Sequence, residues 1–170
     1  VQHIRKSAND HLENGLEMIE RNGNNLLRLV NEMLDLSKLE AGKMELNLIQ
    51  GDVINFIRYI VESFHSVAES QEKKMHYLSA LDQMYVKYDE EKLRQIVSNL
   101  LSNALKFTSK KGDIYISITI DNQSQLVIKV KDTGKGISES QIHFIFDRFY
   151  QADTTVTRNA EGTGIGLALT

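Results

Sequence analysis

The sequence predicts an α+β fold, a two-layer sandwich of helices on a β-sheet, preceded by a long helix that belongs to a dimeric helical bundle. Three observations predict it. Ile114, Ile116, Ile118 and Ile120 alternate with Tyr115, Ser117 and Thr119, and beyond the turn "DNQSQ" Leu126, Ile128 and Val130 continue the alternation, which reads as a hairpin with one apolar face. Two later-covered stretches, 52–69 and 89–108, carry apolar residues at helical spacing and supply the layer that covers that face. Upstream, Leu12, Leu16, Ile19, Leu26, Val30 and Met33 recur at three and four, widened by Leu27 and Leu34, which is the seam of a bundle or coiled coil.

In chain order, that seam runs from Leu12 to Leu39 and needs a mate, either a second copy or a helix before residue 1 of a longer protein. "SKLEAGKMELNL" closes it, with Gly42 placed as a C′ glycine and Lys38 and Lys43 near the negative end of the helix dipole. Met44, Leu46 and Leu48 alternate as a short strand, so a boundary is expected near residues 42–48 and divides the chain into 1–45 and 46–170. Asp52 is placed to cap a helix running to about Glu69, with Val53, Phe56, Ile57, Ile60, Val61 and Phe64 on its apolar side. "MHYLSAL" and "MYVKY" are two further strands. Asp89 caps the next helix, Glu90 and Glu91 suit its first turn, and Leu93, Ile96, Val97, Leu100, Leu101, Ala104 and Leu105 form its buried stripe.

Composition narrows the function classes. The 170 residues, 41% hydrophobic, suffice for a real core. Acidic and basic residues are mixed and sum to −3, so no broad footprint for nucleic acid or an anionic membrane is present, and any anion site must be local. No cysteine is available for disulfides or thiolate metal sites, which fits a reducing compartment, and no apolar run approaches the roughly 20 residues of a membrane span. There is no proline.

Four stretches carry chemistry. In "SNLLSNALKFT", Asn99, Asn103 and Lys106 fall within about 60° of one another on the helix. A carboxamide oxygen is a hard neutral ligand that can complete a magnesium shell otherwise filled by water and phosphate, and Lys106 adds a point charge for the phosphates. Two solvated helix asparagines would look the same. In "VKDTGKGIS", a strand ends at Asp132, whose carboxylate can accept a hydrogen bond from an exocyclic amine such as that of adenine, and Gly134 and Gly136 follow at a spacing that permits close approach to a flat ligand. Ordinary turns also read this way. "AEGTGIGLALT" sets Gly162, Gly164 and Gly166 before an apolar stretch that resembles a first helical turn, where free N–H groups make an anion cradle. The polar segment "QADTTVTRN" before it has the composition of a lid. In "IFDRFYQAD", Phe144, Ile145, Phe146 and Phe149 are expected to pack beneath that lid, and Arg148 is either a surface arginine or a group that steadies transferring charge.

The four boxes "SNLLSNALKFT", "DTGKG", "FDRFYQAD" and "GTGIGLALT", in this order, resemble the ATP-binding catalytic domain of sensor histidine kinases in the GHKL ATPase superfamily, over roughly residues 50–170. "NEMLDLSKLEAGKMEL" resembles the end of the dimerisation helix that precedes that domain. The resemblance implies the two-layer GHKL sandwich, with ATP and Mg2+ as cofactors. It implies Asn99 and Asn103 as metal ligands and Asn99, Lys106 and Arg148 as catalytic groups. Phe107, Asp132, Gly134, Gly136, Ile137, Phe146, Phe149, Gly162, Thr163, Gly164, Gly166 and Leu167 would complete the nucleotide site. It further implies a homodimer through the N-terminal helix, a response-regulator receiver domain as partner, and a place in the cytoplasmic portion of a membrane-anchored sensor.

Members of the superfamily that hydrolyse ATP, the gyrase-like topoisomerases, mismatch-repair ATPases and heat-shock chaperone, resemble this chain but carry a glutamate where Asn99 stands. A carboxylate can deprotonate water and an amide cannot, so Asn99 favours transfer to another nucleophile. The family's acceptor histidine is followed by an acidic residue and shortly by a proline. None of His3, His11, His65, His76 and His143 has that context, so residues 1–45 are expected to be an incomplete dimerisation segment, its acceptor histidine upstream. Only Leu167 to Thr170 follow the second glycine box, so the catalytic domain is expected to be cut short. A GHKL-type hydrolase, and a nucleotide-binding or dimerisation scaffold without kinase activity, are the rival readings.

Overall fold

A computed structural model describes residues 2–151 and 164–170, without the side chains of 2–11, 14 and 17. Backbone contacts divide the chain into two compact units, Val1–Met44 and Glu45–Thr170. The first is one helix, α1 (Gln2–Glu40), on which Leu12, Leu16, Ile19, Leu26, Leu27, Val30, Met33 and Leu34 are all exposed. Gly42, with φ of +60°, follows it as expected of a C′ glycine, and Lys43 N donates back to the Lys38 carbonyl at 2.9 Å.

The second unit runs β1 (Leu48–Asp52), α2 (Val53–Ser63), α3 (His65–Ser70), β2 (Lys74–Ser79), β3 (Tyr85–Asp89), α4 (Glu90–Phe107), β4 (Asp113–Ile120), β5 (Leu126–Asp132) and α5 (Glu139–Ile142), with a 3₁₀ turn at Leu167–Leu169. The hairpin forms as its alternation requires: β4 and β5 are antiparallel with Ile116 opposite Val130, and Asp121 closes the turn by accepting the N–H of Gln123 and of Gln125. β2 joins the other edge of β4 in parallel, giving the order β2-β4-β5. A separate antiparallel ribbon pairs β1 with β3. Ile114, Ile116 and Ile118 are fully buried beneath Ile54, Ile57, Ile60 and Val61 of α2 and Val97, Leu101, Ala104 and Leu105 of α4, which is the two-layer core. Each such side chain withdrawn from water contributes about 1.5–3 kcal/mol. Among the described residues no helix is long and apolar enough to cross a membrane.

Two boundaries differ from the sequence expectation. The strand expected over Met44 to Leu48 instead begins at Leu48, because Asn47 N donates to the Asp89 carboxylate at 2.7 Å and pairing with β3 starts only there. Gly51 sits within this strand facing the ring of Tyr88, where a Cβ would stand 3.2 Å from the phenol oxygen. The helix expected from Asp52 to Glu69 is interrupted at Phe64. Ser63 Oγ donates to the Ile60 carbonyl at 2.6 Å and Phe64 N to that of Val61, a tight turn that separates α2 from α3.

Candidate functional site

α4 carries the first part of the site on its C-terminal half. Its start is fixed by Asp89, whose carboxylate accepts the Lys92 N–H at 3.0 Å. Its buried stripe then orients Asn99, Asn103 and Lys106 to one side, both asparagines half-buried. The Asn99 amide nitrogen donates to the Gly166 carbonyl at 3.0 Å across 67 residues of sequence, drawing the segment Gly164–Leu167 onto α4. That bond commits the nitrogen to protein and leaves the oxygen, the hard donor, as the end a cation would use. A Cβ on Gly166 would stand 3.4 Å from the Asn99 amide carbon and oxygen.

The turn after β5 supplies the second part. Asp132 ends the strand, and its Oδ1 accepts the Gly134 N–H at 2.8 Å, which sets the direction of the carboxylate. Thr133 holds the turn to β4, accepting the Asp113 N–H at 2.9 Å. Gly134 lies directly on the last turn of α4: a Cβ there would intrude on the Phe107 carbonyl oxygen and stand 2.6 Å from Asp132 Oδ1. This glycine permits a close approach to the protein's own helix. Gly136 has open space about it but a φ of +72°, so its requirement is conformational. Ile137 follows, exposed.

Phe107, 41% exposed, stands between the two parts. The Lys106 ammonium lies 5.1 Å from its ring centroid, and that of Lys135, from the glycine turn, lies 5.4 Å away. Burial lowers the pKa of Lys106 from its ordinary value, with the positive charge of Lys135 adding to the effect. Lys73 Nζ donates to the Leu105 carbonyl in the last turn of α4, and burial lowers its pKa as well.

The turn bearing Phe146, Arg148 and Phe149 is joined to the glycine segment by its backbone. Phe149 N donates to the Gly164 carbonyl at 2.9 Å, Phe149 and Gly164 have φ of 60° and 68°, and a Cβ on Gly164 would stand 2.7 Å from the Phe149 carbonyl carbon. Phe144, Phe146 and Phe149 are each about half exposed and Ile145 is partly buried; the lid beneath which they are expected to pack lies outside the described residues. Arg148 is exposed on the same turn. Gly162 and Thr163, with the lid segment before them, lie outside the described residues. Leu167 opens a 3₁₀ turn, half-buried.

Two groups thus form along α4: Asn99 with Gly166 near its middle, and Lys106 and Phe107 with Asp132 and Gly134 at its C-terminal end. Lys135 and Lys73 were not singled out in the sequence; Lys135 stands between the two glycines of a motif that was, whereas nothing local marks Lys73.

The chain is similar to known proteins over most of its length. The family described as histidine kinase-, DNA gyrase B-, and HSP90-like ATPase matches residues 88–170. The chain is 35% identical over 145 residues to the sensor histidine kinase WalK of Bacillus subtilis, covering 85% of this chain and 24% of that protein. Among solved structures, full-length ShkA in complex with AMPPNP has a TM-score of 0.75 at 30% identity, over 88% of this chain and 30% of that one. The histidine kinase ThkA in complex with the response regulator protein TrrA has a TM-score of 0.60 at 22% identity, over 75% of this chain and 38% of that one, a likeness of fold. The chain spans about a quarter or less of the length of its curated relatives, 24% of one and 10% of another.

Proposed function

Residues 88–170 are a domain of the histidine kinase-, DNA gyrase B-, and HSP90-like ATPase family, and from that premise we propose that the chain is the Mg-ATP-binding catalytic module, with part of the dimerisation helix, of a two-component sensor histidine kinase. In the whole protein it would transfer the γ-phosphoryl group of ATP to a histidine outside this chain, for relay to an aspartate of a response-regulator receiver domain. Its surroundings would be the cytoplasm, as the inner portion of a membrane-anchored sensor. Residues 1–45 would belong to the dimerisation segment and 46–170 to the ATP-binding domain.

The observation that carries this reading is the bond from the Asn99 amide to the Gly166 carbonyl, which joins the asparagine pair to the second glycine box. When bound, ATP would supply the phosphoryl group and Mg2+ would neutralise its developing charge. The chain's own residues bind and position. The amide oxygens of Asn99 and Asn103 would hold the metal, and the donor set suits it, two neutral oxygens with phosphates and water completing the shell. Asp132, its direction set by Gly134, would accept the adenine amine, and Phe107 and Ile137 offer half-exposed apolar surface for the base. Lys106 and Arg148 would counter phosphate charge, and backbone N–H groups from Gly162, Thr163, Gly164 and Gly166 would cradle it beside Leu167. Phe146 and Phe149 would edge the opening. Asn99 brings no basicity to a water molecule, which favours transfer over hydrolysis.

His76 has another task in the fold, bonded to Asp113 at 2.7 Å and stacked on Tyr115, which argues against it as an acceptor.

Magnesium-dependent ATP binding tests the reading. Asn103→Ala should weaken it only in the presence of magnesium, and Asp132→Ala should weaken it by about tenfold or more, as removal of a charge-assisted hydrogen bond does. Equal binding by the parent chain and both variants would leave only a scaffold.

A further inference from the structure

The C-terminal end of α4 is held from outside the helix. Thr108 N donates to the Ala104 carbonyl at 3.0 Å, and the carbonyls that follow lie beyond the helix's own donors. The next of them, that of Leu105, is taken by the Lys73 ammonium, which also donates to Gln71 Oε1 at 2.7 Å. A cation is the favourable donor at this end of a helix, where the dipole is negative. Lys73 does not reach it from a loose segment. Its own N–H donates to the Ala68 carbonyl of α3 at 2.9 Å. Lys111 N donates to the Glu72 carbonyl at 2.6 Å and Lys74 N to that of Gly112 at 3.0 Å, so the turn before β2 is stitched to the turn after α4. The Lys110–Glu72 ion pair, at 2.6 Å, spans the same two turns. Burial, which lowers the pKa of Lys73, strips water from the ammonium and leaves the two oxygens as its replacement. Leu105 stands two residues before Phe107, whose carbonyl abuts Gly134, and the Gly134 N–H in turn sets Asp132 Oδ1. What holds Leu105 therefore reaches both Phe107 and Asp132.

We propose that Lys73 is a positioning residue of the nucleotide site. It touches no ligand and acts by fixing the last turn of α4, so that Phe107, and the Asp132 turn seated against it, keep their place at the base end of the site. The inference deepens the ATP-binding reading and rests on it. Binding groups need to be held within about 0.5 Å of their productive place, and the last turn of a helix frays unless its carbonyls are met. Lys73 meets one of them from a part of the fold that carries no group of the site itself.

The test titrates the whole chain calorimetrically with Mg-ATP and with adenosine. Lys73→Met should weaken both ligands by a similar factor of about tenfold, with the number of sites per chain unchanged. Amide exchange at Thr108 should quicken in that variant while Val97, in the middle of α4, stays protected. Lys73→Arg keeps the charge and its donors and should stay within about threefold of the parent. Lys110→Gln breaks the neighbouring ion pair with Glu72 and should bind both ligands as the parent does. A drop in the number of competent chains at unchanged affinity would overturn the inference, because Lys73 would then serve stability alone. Loss of ATP affinity with adenosine unaffected would overturn it in favour of a direct contact with phosphate. Unchanged binding in Lys73→Met, or an equal loss in Lys110→Gln, would overturn it as well. If Lys73→Met does not fold, Gln71→Ala, which removes only the side-chain oxygen beside the ammonium, carries the same comparison: a loss shared by both ligands supports the inference and parent-like binding overturns it. Failure of the parent chain to bind Mg-ATP at all would instead overturn the reading of the whole site, and this inference with it.

Discussion

A methyl group at position 134 would meet the Phe107 carbonyl oxygen and, at 2.6 Å, Asp132 Oδ1. Both residues belong to the proposed nucleotide site, so Gly134→Ala is expected to damage binding more than folding. Relief requires the turn to lift from α4, which moves the Asp132 carboxylate and costs about 1–3 kcal/mol, as overpacking does. Gly136→Ala meets no neighbouring atom but must hold φ near +72°, a strain of about 1–2 kcal/mol without displacement of Asp132. Denaturant unfolding should therefore rank the two variants close together, whereas ATP titration should separate them, with Gly134→Ala the weaker binder. If both bind alike, contact between the glycine turn and α4 does not set the site. At this scale the sequence was legible where the chemistry is local. Asn99, Asn103 and Lys106 share a helix face by arithmetic, and Asp132 before two glycines is visible in five letters. The reason for Gly134 was not, because its neighbour Phe107 lies 27 residues away and an approach of that kind leaves no local pattern. Lys135 escaped for a related reason, since its nearness to Lys106 exists only once the turn is seated.

Asp52 and Asp89 each join two elements. Asp52 accepts N–H groups from Ile54 and Asn55 at the start of α2 and from Met84 at 3.0 Å ahead of β3. Asp89 caps α4 through Lys92 and anchors Asn47 at the start of β1. The Met84 N–H is the largest influence lowering the pKa of Asp52, and the Lys92 N–H that of Asp89, both from an ordinary 3.8. A folded-state pKa below the unfolded value means that the stabilisation is fully present above the unfolded value and is lost as pH falls through the folded one. The melting temperature is thus expected to hold from neutral pH to somewhat above 3.8 and to decline below it. Asp89→Asn should melt lower than the parent at neutral pH, with the gap closing as acid protonates the parent's carboxylate. A gap that stays constant down to pH values well below 3.8 would remove Asp89 from this role. The caps were readable because capping is written within three residues. The break at Phe64 was not, since the apolar stripe runs through it without loss of period. The true start of β1 depends on Asp89, 42 residues from Asn47, and the alternation of Met44, Leu46 and Leu48 placed the strand too early.

At the scale of the whole molecule, the hairpin and its helical cover could be read from alternation and helical spacing, but the parallel docking of β2 on β4 and the separate β1–β3 ribbon could not. Pairing between distant strands depends on which edges remain open after the helices have packed, and neither sequence period reports that. The opposite case is α1, whose period predicts something its own unit does not contain. Leu16, Ile19 and Leu26 are each more than 60% exposed, and Val30 and Met33 about half exposed, on one stripe of a 39-residue helix. A stripe of that length left in water is unfavourable, and burial against a second helix would recover roughly 25 cal/mol for each Å² covered. The chain is therefore expected to self-associate through α1, with mass rising toward the dimer as concentration rises in sedimentation equilibrium. Leu16→Glu combined with Leu26→Glu places charge on the seam and should return the monomer, at a substantial cost to helicity, because a lone helix lacking tertiary partners is marginal. The same double variant should bind Mg-ATP as the parent does, since Asn99, Asp132 and the glycine segments all belong to the other unit. A parent chain that remains monomeric at the highest soluble concentration would sink the dimer. Loss of ATP binding on monomerisation would show instead that the two units do not function independently.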